Sequence, residues 1–273
     1  MFLLGSAYPM GKFGLIDSSN PILFGALRMG ILFLCLAPFC KLKIPPKKYL
    51  LPLFGFSICM GAGVNMFLYL SIDTSSILAP ITIGAQLSIP FAIILSSMFL
   101  SESISFKKCI LIFTSFLGIV LIAFDPKISE EILAIILVFT MAFFYGLSQV
   151  FSRYLKELDV KFTSAFMGLI GFVILIIISQ LFEGNVIGQI NSIDKNGWIA
   201  ILYAGMIISI FGHTMMFYLY KFYPVGMVLP FYALFPVFGL MLTFFIFGEI
   251  PTPIMVTGGI IVVTSVFLLQ KNR

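Results

Sequence analysis

Charge is scarce in this 273-residue chain: Asp, Glu, Lys and Arg make up 10% of it, against about 25% in a soluble domain. A water-exposed surface needs more charge than that, so a cytosolic enzyme, a nucleic-acid binder and a secreted domain are excluded at the outset. Histidine occurs once, as His213, and the four cysteines (Cys35, Cys40, Cys59, Cys109) show no C-x-x-C spacing. Neither a zinc site nor a disulfide framework follows from such a set, and the cysteines read as small apolar fillers. The sequence also lacks H-E-x-x-H, G-x-S-x-G and a pair of aspartates at membrane depth, and a lone histidine without a carboxylate cannot build a triad. No catalytic residue, cofactor or metal is therefore expected. No P-loop is present, so transport driven by ATP would need another chain.

What the chain has instead is apolar residues, 60% of the total, including 32 Phe, with a mean hydropathy of +1.14. Helices are the only open-chain structure that satisfies its own backbone inside lipid. Apolar runs at 2–16, 21–39, 49–70, 76–100, 109–124, 132–151, 162–182, 197–219, 224–247 and 251–269 predict an all-α integral membrane protein of about ten transmembrane helices. The joints 17–20, 72–76, 125–131 and 221–224 are turn-like, and the longest joint is 183–196. Residues 1–16 span about 24 Å, short for a ~30 Å hydrocarbon core, which points to a native N-terminus a few residues longer. It has no basic n-region or A-x-A-like site, so no cleavable signal peptide is expected.

Lys and Arg fall unevenly on alternate joints. With the N-terminus in the cytoplasm the inner joints hold twelve, from Lys41 to Arg273, and the outer joints only Lys127 and Lys195. The positive-inside rule then places both termini in the cytoplasm, with a multi-pass chain in what we read as a bacterial inner membrane. The net charge of +5 resolves into an inner excess of +9, an outer excess of −6, and two intramembrane cations, Lys12 and Arg28.

The halves resemble one another. Ser57, Gly61 and Asn65 recur at every fourth residue, as do Gly205, Ser209 and His213 148 positions later. Each triplet puts two small residues and one polar residue on one helix face. Tyr8 and Lys12 match Tyr145 and Gln149 137 positions on, and Glu102 matches Glu249 at a separation of 147. With five segments per half, the second half enters the membrane upside down, as in transporters built from inverted repeats. The halves are 1–124 and 132–270.

The candidate pathway residues are the polar side chains within these segments: Tyr8, Lys12, Arg28, Asn65, Gln86, Tyr145, Gln149 and His213. Intramembrane charges are costly and mark pathways. Arg28 lies about 10 Å down its helix from Pro21, with no Asp or Glu at comparable depth in the sequence. It and Lys12 either hold a substrate carboxylate or reach outward to Asp17 or Asp73. His213 is either an interhelical hydrogen-bonder or a proton-coupling group, and Asn65 carries the corresponding alternatives. Tyr8, Tyr145, Gln86 and Gln149 either line a cavity or glue helices. Glu102 and Glu249, at helix ends, are expected to cap the free N–H groups of the helix that follows. Pro80, Pro90, Pro230 and Pro236 fall inside the fourth and ninth segments and permit bending there.

Residues 234–259 combine Pro236, an apolar run, Gly248-Glu249 and Gly258, a pattern that resembles the EamA-type repeat of the drug/metabolite transporter superfamily. The first half is similar but looser. Glu102 follows Ser101 rather than Gly, Pro90 is one residue closer, and Gly118 matches a later family glycine. The opening GSAYPMGKFG and the ALRMG around Arg28 also resemble the family, with Leu4-Gly5 in place of its Trp-Gly. Residues 210–240 look closest to exporters of cysteine-pathway metabolites. The resemblance implies a secondary transporter of a small organic metabolite, amino-acid-like and effluxed, working by alternating access. An uptake transporter or exchanger for a nucleoside or cofactor-like metabolite stays open, with an intramembrane enzyme behind both. The expected partners are a small-molecule substrate and the lipid bilayer, with no nucleic acid. A homodimer through the fifth and tenth segments is possible, since Gly118 and Gly258-Gly259 allow close approach.

Overall fold

A computed structural model of the chain describes residues 1–16, 20–40, 45–100, 104–128, 131–215, 218–219 and 234–271, apart from the side chain of His213. The described residues form helices and contain no strand. The first segment is two short pieces, α1 (Phe2–Gly5) and α2 (Ala7–Leu15). Next come α3 (Pro21–Leu36) and α4 (Lys47–Asp73), the latter wound as a π-helix over Ser57–Gly63. Then follow α5 (Leu78–Leu100), α6 (Phe106–Ala123), α7 (Ile132–Tyr154) and α8 (Val160–Phe182). The short α9 (Val186–Ser192) occupies the joint that the hydropathy pattern leaves as a loop. Helix α10 starts at Lys195 and runs as a π-helix over Tyr203–Thr214. Helices α11 (Phe235–Phe247) and α12 (Pro253–Lys271) complete the set. Eight helices are long and apolar enough to cross a membrane, while α1, α2 and the described part of α11 are shorter.

The helix ends follow local rules. Pro21 starts α3 at the position where a missing N–H costs nothing. Asp159 and Asp194 cap α8 and α10 through side-chain oxygens that accept from Lys161 N and Gly197 N. Helix α11 stops at Gly248, whose φ of +67° suits glycine. Pro236 sits in the first turn of described α11. Pro90 cannot donate to the Gln86 carbonyl, and α5 tightens to a 3₁₀ turn over Ala85–Leu87 just before it.

The packing pairs helices across the chain. Helix α3 lies along α8, and α6 along α12. The contact of α5 with α7 has its counterpart in that of α11 with α1 and α2. Helix α4 meets α8 as α10 meets α3. Close approach depends on glycine: a Cβ on Gly61 would stand 2.6 Å from the Met167 carbonyl oxygen and 3.2 Å from Gly171 Cα. Gly118 and Gly258 face each other between α6 and α12, a Cβ on either meeting the other's carbonyl within 2.9 Å. These glycines are consumed inside the chain, so they offer no argument for a second copy. The apolar side chains left outside, such as Phe106, Phe113 and Phe245, form the rim expected of a protein whose solvent is hydrocarbon.

Candidate functional site

The two π-helical stretches face the middle of the bundle, and their departure from regular winding is balanced by side chains. Asn65 Nδ2 donates to the carbonyls of Met60 and Gly61, both at 3.0 Å. In α10 the Ser209 hydroxyl donates to the Ala204 carbonyl at 2.9 Å, and the Thr214 hydroxyl to the Ser209 carbonyl at 3.1 Å, each five residues back. Such bulges recur at functional sites because they reorient side chains without ending the helix.

Between them lies a cavity of about 50 Å³, bounded by every transmembrane segment except α6 and α12. That is far below the roughly 300 Å³ of a typical ligand pocket. Four of the expected residues stand on its wall: Tyr8, Arg28, Asn65 and Tyr145. Tyr8 stacks on Phe235 at 5.9 Å between ring centroids. Four methionines, Met29, Met60, Met141 and Met167, also line the cavity.

Arg28 is 4% exposed. Its Nε donates to Ser209 Oγ at 3.1 Å and its Nη1 to the Tyr69 hydroxyl at 3.0 Å. Both partners are neutral, and among the described residues no carboxylate pairs with it. A guanidinium has five N–H donors, so this one is held in place with donors to spare. It does not reach out to Asp73. Tyr69 was not among the residues singled out by sequence, although it follows Asn65 by four positions and shares its helix face.

Lys12 behaves differently. It is only partly buried, and its Nζ forms an ion pair with Glu249 Oε1 at 2.8 Å. The same ammonium donates to the Ser76 carbonyl and lies 5.7 Å from the Phe247 ring centroid. Of the two intramembrane cations, Lys12 has an anion, and Arg28 has none among the described residues. Glu249 caps a helix, as expected, but not the one that follows: its Oε2 accepts from Leu78 N at 2.9 Å, at the start of α5. Gly248 makes this possible by ending α11 in a left-handed turn. Glu183, at the end of α8, serves α3 in the same way, accepting from Ile22 N at 2.8 Å and Leu23 N at 2.9 Å. Burial raises the Glu183 carboxyl above its ordinary value, against the lowering effect of those backbone hydrogen bonds. Glu131 ties the same end of the bundle together through Ser75 and Ser76 N, both at 3.0 Å.

Among the described residues, Gln86 and Gln149 are not brought to the cavity. Gln86 is fully buried in the 3₁₀ turn of α5, and Gln149 is half-buried on α7, both off the wall. Glu102, Pro230 and the His213 side chain lie outside the described residues. No cluster of His, Cys, Asp or Glu among the described residues could hold a metal ion.

The model of the EamA-like transporter family matches residues 132–270. No curated protein matches the chain. Seventeen solved chains do. One, titled only as the crystal structure of a protein, shares the fold with a TM-score of 0.56 at 16% identity, over 96% of both chains.

Proposed function

The chain belongs to the EamA-like transporter family, and from that premise we propose that it exports a small, carboxylate-bearing, amino-acid-like metabolite by alternating access around Arg28. The observation that carries this reading is a buried guanidinium on the cavity wall, oriented by two neutral hydroxyls and paired with no carboxylate among the described residues. Such a group has a strong demand for an anion in low dielectric, and its planar fork suits a carboxylate.

Two inverted repeats, 1–124 and 132–270, are part of this proposal. The paired packing of helices and the π-helices in both α4 and α10 support it. So does the position of the cavity, between segments of both halves. The positive-inside count puts both termini in the cytoplasm, so the end stitched by Lys12, Glu249, Glu131 and Glu183 faces outward. Efflux rests on the exporter-like sequence of 210–240.

The test is reconstitution in liposomes loaded in turn with amino acids, nucleosides and cofactors, with and without a pH gradient. Export of a carboxylate by the wild type, lost in folded Arg28→Gln, is the expected result. Wild-type affinity in Arg28→Gln would overturn the carboxylate reading, and transport confined to a substrate without a carboxylate would do the same.

A further inference from the structure

The wall that carries Arg28 also carries a hydrogen-bond acceptor with nothing to accept from. Asn65 is 3% exposed, and its Oδ1 is buried without a partner among the described residues. The amide cannot be turned round to relieve this. Nδ2 donates to two carbonyls at 3.0 Å, and exchanging the two atoms would set an oxygen against both. Those carbonyls belong to Met60 and Gly61, inside the π-helical stretch of α4, where the regular ladder is interrupted. The backbone thus fixes the amide and leaves Oδ1 facing a demand it does not itself meet, which is costly for a buried acceptor.

Two neighbours link Asn65 to the cation. Asn65 and Tyr69 stand one turn apart on one helix face, and the Tyr69 hydroxyl is the group that holds Arg28 Nη1. Asn65 Nδ2 also lies 3.6 Å from the sulfur of Met29, the residue next to Arg28. Arg28 and Asn65 thus line one cavity, the first with N–H donors to spare and the second with an acceptor that has no partner among the described residues.

We propose that Asn65 is a specificity-determining residue: among the carboxylates that Arg28 can hold, its Oδ1 selects those with an N–H or O–H donor on the adjoining carbon. This rests on the carboxylate reading of Arg28. An ammonium is preferred to a hydroxyl, because a charged donor makes the stronger hydrogen bond. A compound with no donor gains no hydrogen bond from Oδ1 and binds more weakly for that reason. The neighbouring methionines take the rest of the molecule, since unbranched thioethers repack around varied apolar shapes.

The test uses three probes with one carbon skeleton: 2-aminobutanoate, 2-hydroxybutanoate and butanoate. Binding to the purified full chain is read as the concentration dependence of its thermal unfolding. The wild type is expected to bind them in that order, with about tenfold between first and last. Asn65→Leu removes the oxygen at similar volume and is expected to bind butanoate as the wild type does while losing the preference for the amine. Asn65→Ser can still donate to the Gly61 carbonyl four residues back, which protects the helix if the leucine variant does not fold, and it too is expected to lose most of the preference. Equal binding of the three probes by the wild type overturns the proposal, as do variants that keep the order; an Oδ1 satisfied by water would give that result. If no probe binds, or if Arg28→Gln binds them as the wild type does, the carboxylate reading falls and this proposal with it.

Discussion

Two neutral hydroxyls, those of Tyr69 and Ser209, hold the Arg28 guanidinium at the cavity wall. Its depth and lack of a nearby acid were legible from Pro21 and the spacing of Asp and Glu. Its two holders were not, because Tyr69 and Ser209 come to it from helices 41 and 181 residues away. Tyr69→Phe removes one acceptor and leaves the charge. The expected outcome is a loss of about 1 kcal/mol in substrate affinity, close to fivefold, at unchanged expression. Counterflow of the identified substrate checks it; no change would mean that Ser209 alone positions the guanidinium. Lys12 shows the opposite pattern, since one-dimensional reasoning had no means of pairing it with Glu249 across 237 residues. Lys12→Gln is expected to weaken the closure of the end proposed to face outward by about 1 kcal/mol, as for a partly buried pair. The outward-open population would then rise about fivefold, read as tighter substrate binding from the outside of the vesicle. A variant with unchanged affinities on both sides would leave the ion pair a purely structural link.

Each of the ten apolar runs read from the sequence contains described helix, because hydropathy over a full membrane crossing is a strong and local signal. The π-helices over Ser57–Gly63 and Tyr203–Thr214 were invisible to that signal. They depend on side chains that take up displaced carbonyls, and nothing in a periodicity of small residues specifies an extra residue per turn. The triplets Ser57, Gly61, Asn65 and Gly205, Ser209, His213 nevertheless lie in or beside both bulges. Their small members let neighbours close in: a Cβ on Gly205 would stand 3.0 Å from the Arg28 carbonyl oxygen. Gly61→Val is therefore expected to force α4 and α8 apart and to destabilise the protein by roughly 2 kcal/mol or more, measured as a lowered unfolding temperature in detergent. Retention of the wild-type value would mean that the crossing can relax at little cost.

At the scale of the whole molecule, membrane residence followed from composition and all-α architecture from the ten apolar runs, whereas the cavity followed from neither, since it exists only where eight of the ten segments converge. The positive-inside count makes a further expectation measurable. Reporters fused to either terminus should both lie on the cytoplasmic side, and reporters placed beside Glu183 should lie on the other. The central claim is that the cavity around Arg28 recognises a carboxylate during transport. Its most direct test is competition in counterflow between the transported acid and its methyl ester, in the wild type and in Arg28→Gln. The free acid is expected to compete on the order of a hundredfold better than the ester in the wild type, and the difference is expected to vanish in the variant. Equal competition by acid and ester in the wild type, or a preference for the acid that survives in Arg28→Gln, would contradict the claim.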